Sequence, residues 1–128
     1  MKHKEMLGMI NSIFTKVKLM HTEGQKEYAM TEDNVFANFE RIANQTGFDR
    51  EMVLWVYLMK HIDGIASYLK GHKSQREDVT GRLTDAIVYL CILWGMIEEE
   101  DYKEKLDKEQ ANDMANQNRG YQHDKNNI

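Results

Sequence analysis

Asp78, Arg82, Asp85 and Tyr89 recur at intervals of 4, 3 and 4 residues, which lines two carboxylates, a guanidinium and a phenol along one side of a helix. Carboxylates projecting from helices into a bundle are a recurring way of holding a divalent cation, and Mg²⁺ in turn binds phosphates. Glu23 and Glu27, one turn apart, aim two more carboxylates at one point. Glu27, Asp78 and Asp85 are the candidate metal ligands and Mg²⁺ the candidate ion. Lys60, His61 and Asp63 form a second polar group, and Lys60 starts a strip through Gly64 and Ser67 to Gly71 whose small residues would admit another group closely. Lys60 there could neutralise a phosphate or one of the aspartates.

Plainer readings stand beside these. Asp78, Arg82 and Asp85 can pair with one another along one helix at i,i+4 and i,i+3 with no ligand involved. His61 has no second histidine at ligand spacing, so packing or capping competes with metal ligation. The segment around Glu23 and Glu27 can be a solvated connection. Lys70, His72, Lys73 and Arg76 surround a turn beside free helix amides, a combination that can hold a phosphate or can merely solvate the turn.

The elements that must position these groups read as helices. A chain of 128 residues is about one domain, and the absence of proline with only 8 glycines favours long helices over β structure. Met6, Ile10, Ile13, Val17 and Met20 repeat at 4, 3, 4 and 3, with Leu7 and Phe14 beside them, giving a first helix from about Lys4 to Met20. A second spans about Asp33 to Gln45, with Thr31 or Asp33 as cap, Gly47 as stop, and Val35, Phe36, Phe39 and Ile42 as its buried side. The third is capped by Asp49, stapled by Phe48 onto Val53, and runs to Lys70 along a seam of Leu54, Leu58, Ile62, Ile65 and Leu69. Ser74 with Glu77 reads as a capping box opening the fourth helix, whose core seam is Val79, Leu83, Ala86, Leu90, Leu93 and Ile97. Beyond Glu98 the helix extends on an exposed surface through Tyr102 and Leu106. The polar, Asn-rich segment after about Ala111 should lose order. The expectation is an all-α four-to-five-helix bundle over residues 1–110 with a disordered tail, 111–128.

Composition removes several function classes. Residues 1–97 hold 12 acidic and 12 basic side chains, and a neutral body argues against a nucleic-acid binder. The single Cys91 lies in the apolar helix, so no internal disulfide forms and a buried thiol in a reducing compartment is expected. The longest apolar run, Ala86 to Met96, is too short to span a bilayer, and no signal peptide is evident. A soluble, cytoplasmic protein follows. Walker, Gly-rich dinucleotide, HExxH and paired-Cys motifs are missing, as is a nucleophile elbow.

Across Gly24 to Trp94 the chain resembles a group of phage and prophage proteins, the nucleotide-modification-associated domains and their relatives. The resemblance rests on Tyr28, Asp33, Asn38, Phe39, Lys60, His61, Gly81, Arg82, Asp85 and Tyr89. That group is more distantly similar to MazG-like all-α nucleotide pyrophosphohydrolases, whose Mg²⁺ site uses a Glu-x-x-Glu and a Glu-x-x-Asp pair. Asp85 matches the last Asp, but Arg82 stands where that pattern has Glu, and Glu23 and Glu27 are one residue too far apart for the first pair. The resemblance, taken with the polar row and the Glu23–Glu27 spacing, implies a nucleotide or other phosphate-bearing ligand at Glu27, Asp33, Asn38, Lys60, His61, Arg82, Asp85 and Tyr89, with a host-cell cytoplasmic location.

Three readings remain: a helical protein that binds, and in one version processes, a nucleotide; a non-catalytic interaction protein that binds a host factor or sequesters a nucleotide signal; and a small oligomeric structural protein. Trp55, Tyr57, Trp94 and the nearly all-round apolar helix point to a homo-oligomer in each case.

Overall fold

The computed structural model describes residues 1–29 and 33–126, without the side chains of 28, 29 and 123–126. It is all-α, with no strand among the described residues. Helix α1 spans His3–Gly24 and passes directly into a π-helical turn, Gln25–Ala29; α2 spans Ala37–Thr46, α3 Arg50–Leu69 and α4 Val79–Asn126. The chain divides into two compact units, Met1–Trp94 and Gly95–Ile128.

In the first unit α2 packs on α3 and on the π-helical turn. Asn34 sets the entry to α2: its side-chain oxygen accepts the Phe36 amide at 3.0 Å and its amide group donates to Glu40 at 2.8 Å. The helix therefore starts one turn later than the expected Asp33, because an Asx turn at Asn34 holds the chain out of the helix until Ala37. Thr31, the other expected cap, lies outside the described residues, as does the side chain of Tyr28. Glu40 also receives Arg50 Nη1 at 2.9 Å, tying α2 to the start of α3, and the Arg50 guanidinium stacks 4.8 Å from the Phe36 ring centroid.

Gly47 ends α2 in the left-handed region at φ 78°, with its amide bonded to the Ala43 carbonyl. Only glycine adopts that conformation without a Cβ penalty. Gly47→Ala should lower stability by about 1 kcal/mol in urea denaturation, although nothing lies near the added methyl. Asp49 occupies the cap position of α3 as expected, but its side chain makes no capping bond.

The core consists of Val17, Phe36, Phe39, Val53, Leu54, Leu58 and Ala86, with Leu54 and Leu58 completely enclosed. The four expected seams are buried only in part. Met6, Ile10 and Phe14 on α1, and Ile62 and Leu69 on α3, are exposed. On α4 Leu83, Leu90 and Ile97 are 44, 50 and 49% exposed, so Ala86 is the buried member of that seam in the first unit. Cys91 is exposed as well, contrary to the expected buried thiol.

Helix α4 begins at Val79, later than the expected Ser74. Asp78 supplies its cap: Oδ2 accepts the Thr80 hydroxyl at 2.6 Å, and the first helical bond runs from the Arg82 amide to the Asp78 carbonyl. That hydroxyl, followed by the Thr80 and Val79 amides, holds the Asp78 carboxyl below its usual range. The Ser74–Glu77 box does not form because Gln75 is drawn back to α3, donating to the Gly64 carbonyl at 2.9 Å and the His72 carbonyl at 3.1 Å.

In the second unit the helix continues to Asn126, past the point where order was expected to fade. Met96 is buried, and every residue from 100 to 122 is exposed. Helix formers without proline, and pairs such as Lys103 to Glu99 at 3.1 Å, support this stretch locally rather than through a packed face. Helix α4 contains an 18-residue window of mean hydropathy 1.3, of which 17% is buried. By length and composition it could cross a bilayer, which the shorter apolar run did not suggest.

Candidate functional site

Along α4 the inward side is the polar row. Arg82 has a side chain only 14% exposed, Asp85 and Tyr89 are half-buried, and the small Ala86 lies among them. Gly64 on α3 makes room for this: a Cβ built there would fall 2.5 Å from Arg82 Cζ and 2.6 Å from its Cδ. The close approach expected along the Lys60–Gly64–Ser67 strip is thus occupied by Arg82.

A helical glycine changed to alanine ordinarily gains about 1 kcal/mol. Gly64→Ala should forfeit that gain, because its methyl evicts the Arg82 head, whereas Gly8→Ala on α1, with open space around it, should keep it. Parallel urea melts of the two variants check the contrast.

Opposite Asp85 stands His61, 8% exposed, with Nδ1 3.5 Å from Asp85 Oδ2 but without a hydrogen bond to it or to any other group. The imidazole lies 5.5 Å from the Tyr89 ring, tilted by 33°. Tyr89 in turn meets the edge of Phe39 at 6.1 Å, and Phe39 meets Tyr57 at 6.2 Å. Burial pushes the Asp85 carboxyl above its ordinary range, opposed chiefly by His61 and further by Lys60 and Arg82, while Glu77 adds to the rise.

Asp85 and Tyr89 form one wall of a cavity of about 280 Å³. Met20, His21, Glu23 and Gly24 from the end of α1, Gln25 and Glu27 from the π-helical turn, Val35, Asn38 and Phe39 supply the rest with Val88 and Ile92. Glu23 and Glu27 reach the same hollow because α1 does not break at Gly24 but widens into the π turn, a distortion frequent at functional sites. The hollow is shared by α1, α2 and α4, and α3 contributes nothing to its described lining.

Of the expected ligand-binding residues, Glu27, Asn38, Asp85 and Tyr89 line this cavity. Asn38 keeps its carbonyl engaged, accepting Arg41 Nη2 at 2.9 Å. His61 and Arg82 lie behind Asp85 and outside the lining, and Lys60 and Asp33 are exposed away from it. Among the candidate metal ligands, Asp78 is turned to solvent as the α4 cap, so Glu27 and Asp85 share the cavity without it. Glu77 approaches instead: His61, Glu77 and Asp85 bring one ligand atom each within 4.8 Å of one another. Sequence reasoning assigned Glu77 to a cap and gave Gln75 no role; no spacing signal marks either, since both act from the irregular chain between helices.

No family model, curated protein or solved structure matches this chain.

Proposed function

We propose that the cavity binds a nucleotide-like, phosphate-bearing small molecule with the help of a divalent cation. The observation that carries this reading is the convergence of Glu23, Glu27 and Asp85 with Asn38 and the rings of Phe39 and Tyr89 on one hollow. An aromatic and aliphatic floor suits a base or similar flat ring, and Asn38 offers hydrogen bonds to its edge. About 280 Å³ is close to the lower end of small-molecule pockets. Neither Lys nor Arg is among the described lining residues, so phosphates would meet three carboxylates directly. A hard cation resolves that conflict. Glu23, Glu27 and Asp85 provide the oxygen donors that Mg²⁺ prefers, and the ion when bound would supply positive charge toward phosphate.

The experiment is a thermal-shift and turnover screen of the full chain over nucleoside mono-, di- and triphosphates, with and without Mg²⁺. Stabilisation that needs Mg²⁺ and disappears in Glu27→Gln supports the reading; neither stabilisation nor product from any nucleotide overturns it. Product formation would add the processing step.

The exposed row Leu83, Leu90 and Trp94 on α4 favours a compatible second reading, self-association or docking of a host protein. Sedimentation of the purified chain separates the two: a concentration-dependent oligomer supports the first, a monomer captured by a host protein the second. The cytoplasm, where nucleotides and Mg²⁺ are plentiful, is the location that fits the proposed ligand.

A further inference from the structure

The geometry points to a second centre that shares Asp85 with the cavity: a site for a borderline divalent ion such as Zn²⁺ made by His61 Nδ1 with the carboxylates of Glu77 and Asp85. It rests on this side-chain cluster and requires no nucleotide. The three groups come from separate parts of the fold, α3, the loop before α4, and α4 itself, yet their ligand atoms lie within 4.8 Å of one another. Tetrahedral bonds of about 2.0–2.2 Å to a common ion hold such atoms roughly 3.3–3.6 Å apart, so the cluster has to contract on binding, and Glu77, whose side chain is 47% exposed, has the freedom to move inward.

His61 is the independent indication of a ligand. Its side chain is 10% exposed and its Nδ1 has no hydrogen-bond partner, although buried polar atoms are almost always satisfied. With the proton on Nε2, Nδ1 offers a lone pair within 4.8 Å of both carboxylates, a donor open to a metal ion. The Tyr89 ring beside the imidazole restricts its rotation. Imidazole nitrogen with two carboxylate oxygens is a donor set that suits Zn²⁺ and its neighbours in the first transition row, while Mg²⁺ prefers oxygen alone. The cluster is therefore chemically different from the all-oxygen set in the cavity.

Arg82 governs the metal-free state. Its Nη1 is 3.7 Å from Glu77 Oε2, a loose pairing, and its Nε is buried without a partner. The guanidinium tempers the repulsion between Glu77 and Asp85, and Lys60 exerts a larger positive influence on Asp85 than Arg82 does. An incoming ion has to compete with these charges, so it is held more weakly than in a closed structural zinc centre. Because Asp85 belongs both to the cluster and to the cavity wall, an ion held here adjoins the cavity.

The test titrates the full chain, stripped with chelator, with ZnCl₂ and MgCl₂ by calorimetry in the absence of nucleotide, and with CoCl₂ by visible absorption. One Zn²⁺ per chain is expected, with affinity reduced about tenfold or more in Glu77→Gln and in His61→Gln, and unchanged in Glu104→Gln on the exposed part of α4. Co²⁺ should develop a visible band that His61→Gln removes. Glu77 is exposed, so Glu77→Gln decides the matter even if His61→Gln loses its helical circular dichroism. No Zn²⁺ binding, or undiminished binding in Glu77→Gln, overturns the proposal; Mg²⁺ binding as tightly as Zn²⁺ at this cluster does so too.

Discussion

Phe39→Ala should destabilise the first unit by about 3–5 kcal/mol and lower the melting temperature by roughly 10 °C or more. Phe39 is buried and contacts Tyr57 and Tyr89 edge-on, with interplanar angles of 78° to both. Such pairs contribute about 0.5–1.5 kcal/mol beyond area burial. The ring also floors the cavity, so truncation removes the packed wall against which Asn38 and Tyr89 are held. Phe39→Leu keeps most of the volume and should cost about 1–2 kcal/mol. The measurement is urea denaturation followed by circular dichroism. A loss under about 1 kcal/mol for the alanine variant would mean that Phe39 does not hold α2 in place. Since domain stabilities are commonly about 5–15 kcal/mol, the alanine variant is also expected to weaken ligand binding by leaving part of the population unfolded at 37 °C.

Local rules were readable where a single residue carries them. Gly47 and Gly71 follow helix ends at φ 78° and 109°, where a glycine is the residue of least strain, and the Gly47 stop stood out in the sequence. The start of α4 was not readable in the same way. Ser74 with Glu77 satisfies the capping pattern as well as Asp78 with Thr80 does, and the choice falls to Gln75, whose amide reaches eleven residues back to Gly64. That contact is tertiary, and a local pattern cannot contain it.

The two stripes of α4 show the same limit. Hydropathy favours Leu83, Leu90 and Ile97 as the inward side, yet these are the exposed residues and Arg82, Asp85 and Tyr89 point in. The reason lies on other helices. Gly64 leaves a gap that fits a guanidinium, His61 meets Asp85, and Phe39 meets Tyr89. A polar row on an apolar helix announced a site, but the neighbours that accept it were invisible at a spacing of 3 and 4. The carboxylates Glu23 and Glu27 illustrate the converse. Their turn spacing signalled convergence, and both line the cavity, Glu23 from the last turn of α1 and Glu27 from the π turn that continues it.

Asp85→Asn should raise the stability of the chelator-treated, ligand-free chain at pH 7 while weakening binding of the proposed phosphate ligand about ten- to a hundredfold, the worth of a charge-assisted contact of about 1.5–3 kcal/mol. The sign follows from proton binding. Burial raises the folded-state pKa of Asp85 above the ordinary 3.8, so near that range the native chain holds more protons than the unfolded one. Stability associated with this group is therefore full at pH below 3.8 and falls as pH rises toward the raised folded value. At pH 7 the carboxylate is charged in a place that disfavours charge. His61, Lys60 and Arg82 offset the penalty and Glu77 deepens it, with Glu23 and Glu27 lining the same cavity. Asparagine keeps the shape and removes the charge, so its melting temperature should exceed that of the parent at pH 7, with the difference shrinking as pH approaches 4. A lower melting temperature at pH 7 would show that the His61 and Arg82 contacts outweigh desolvation. Unchanged affinity for a ligand found in the nucleotide screen would place the binding site away from Asp85.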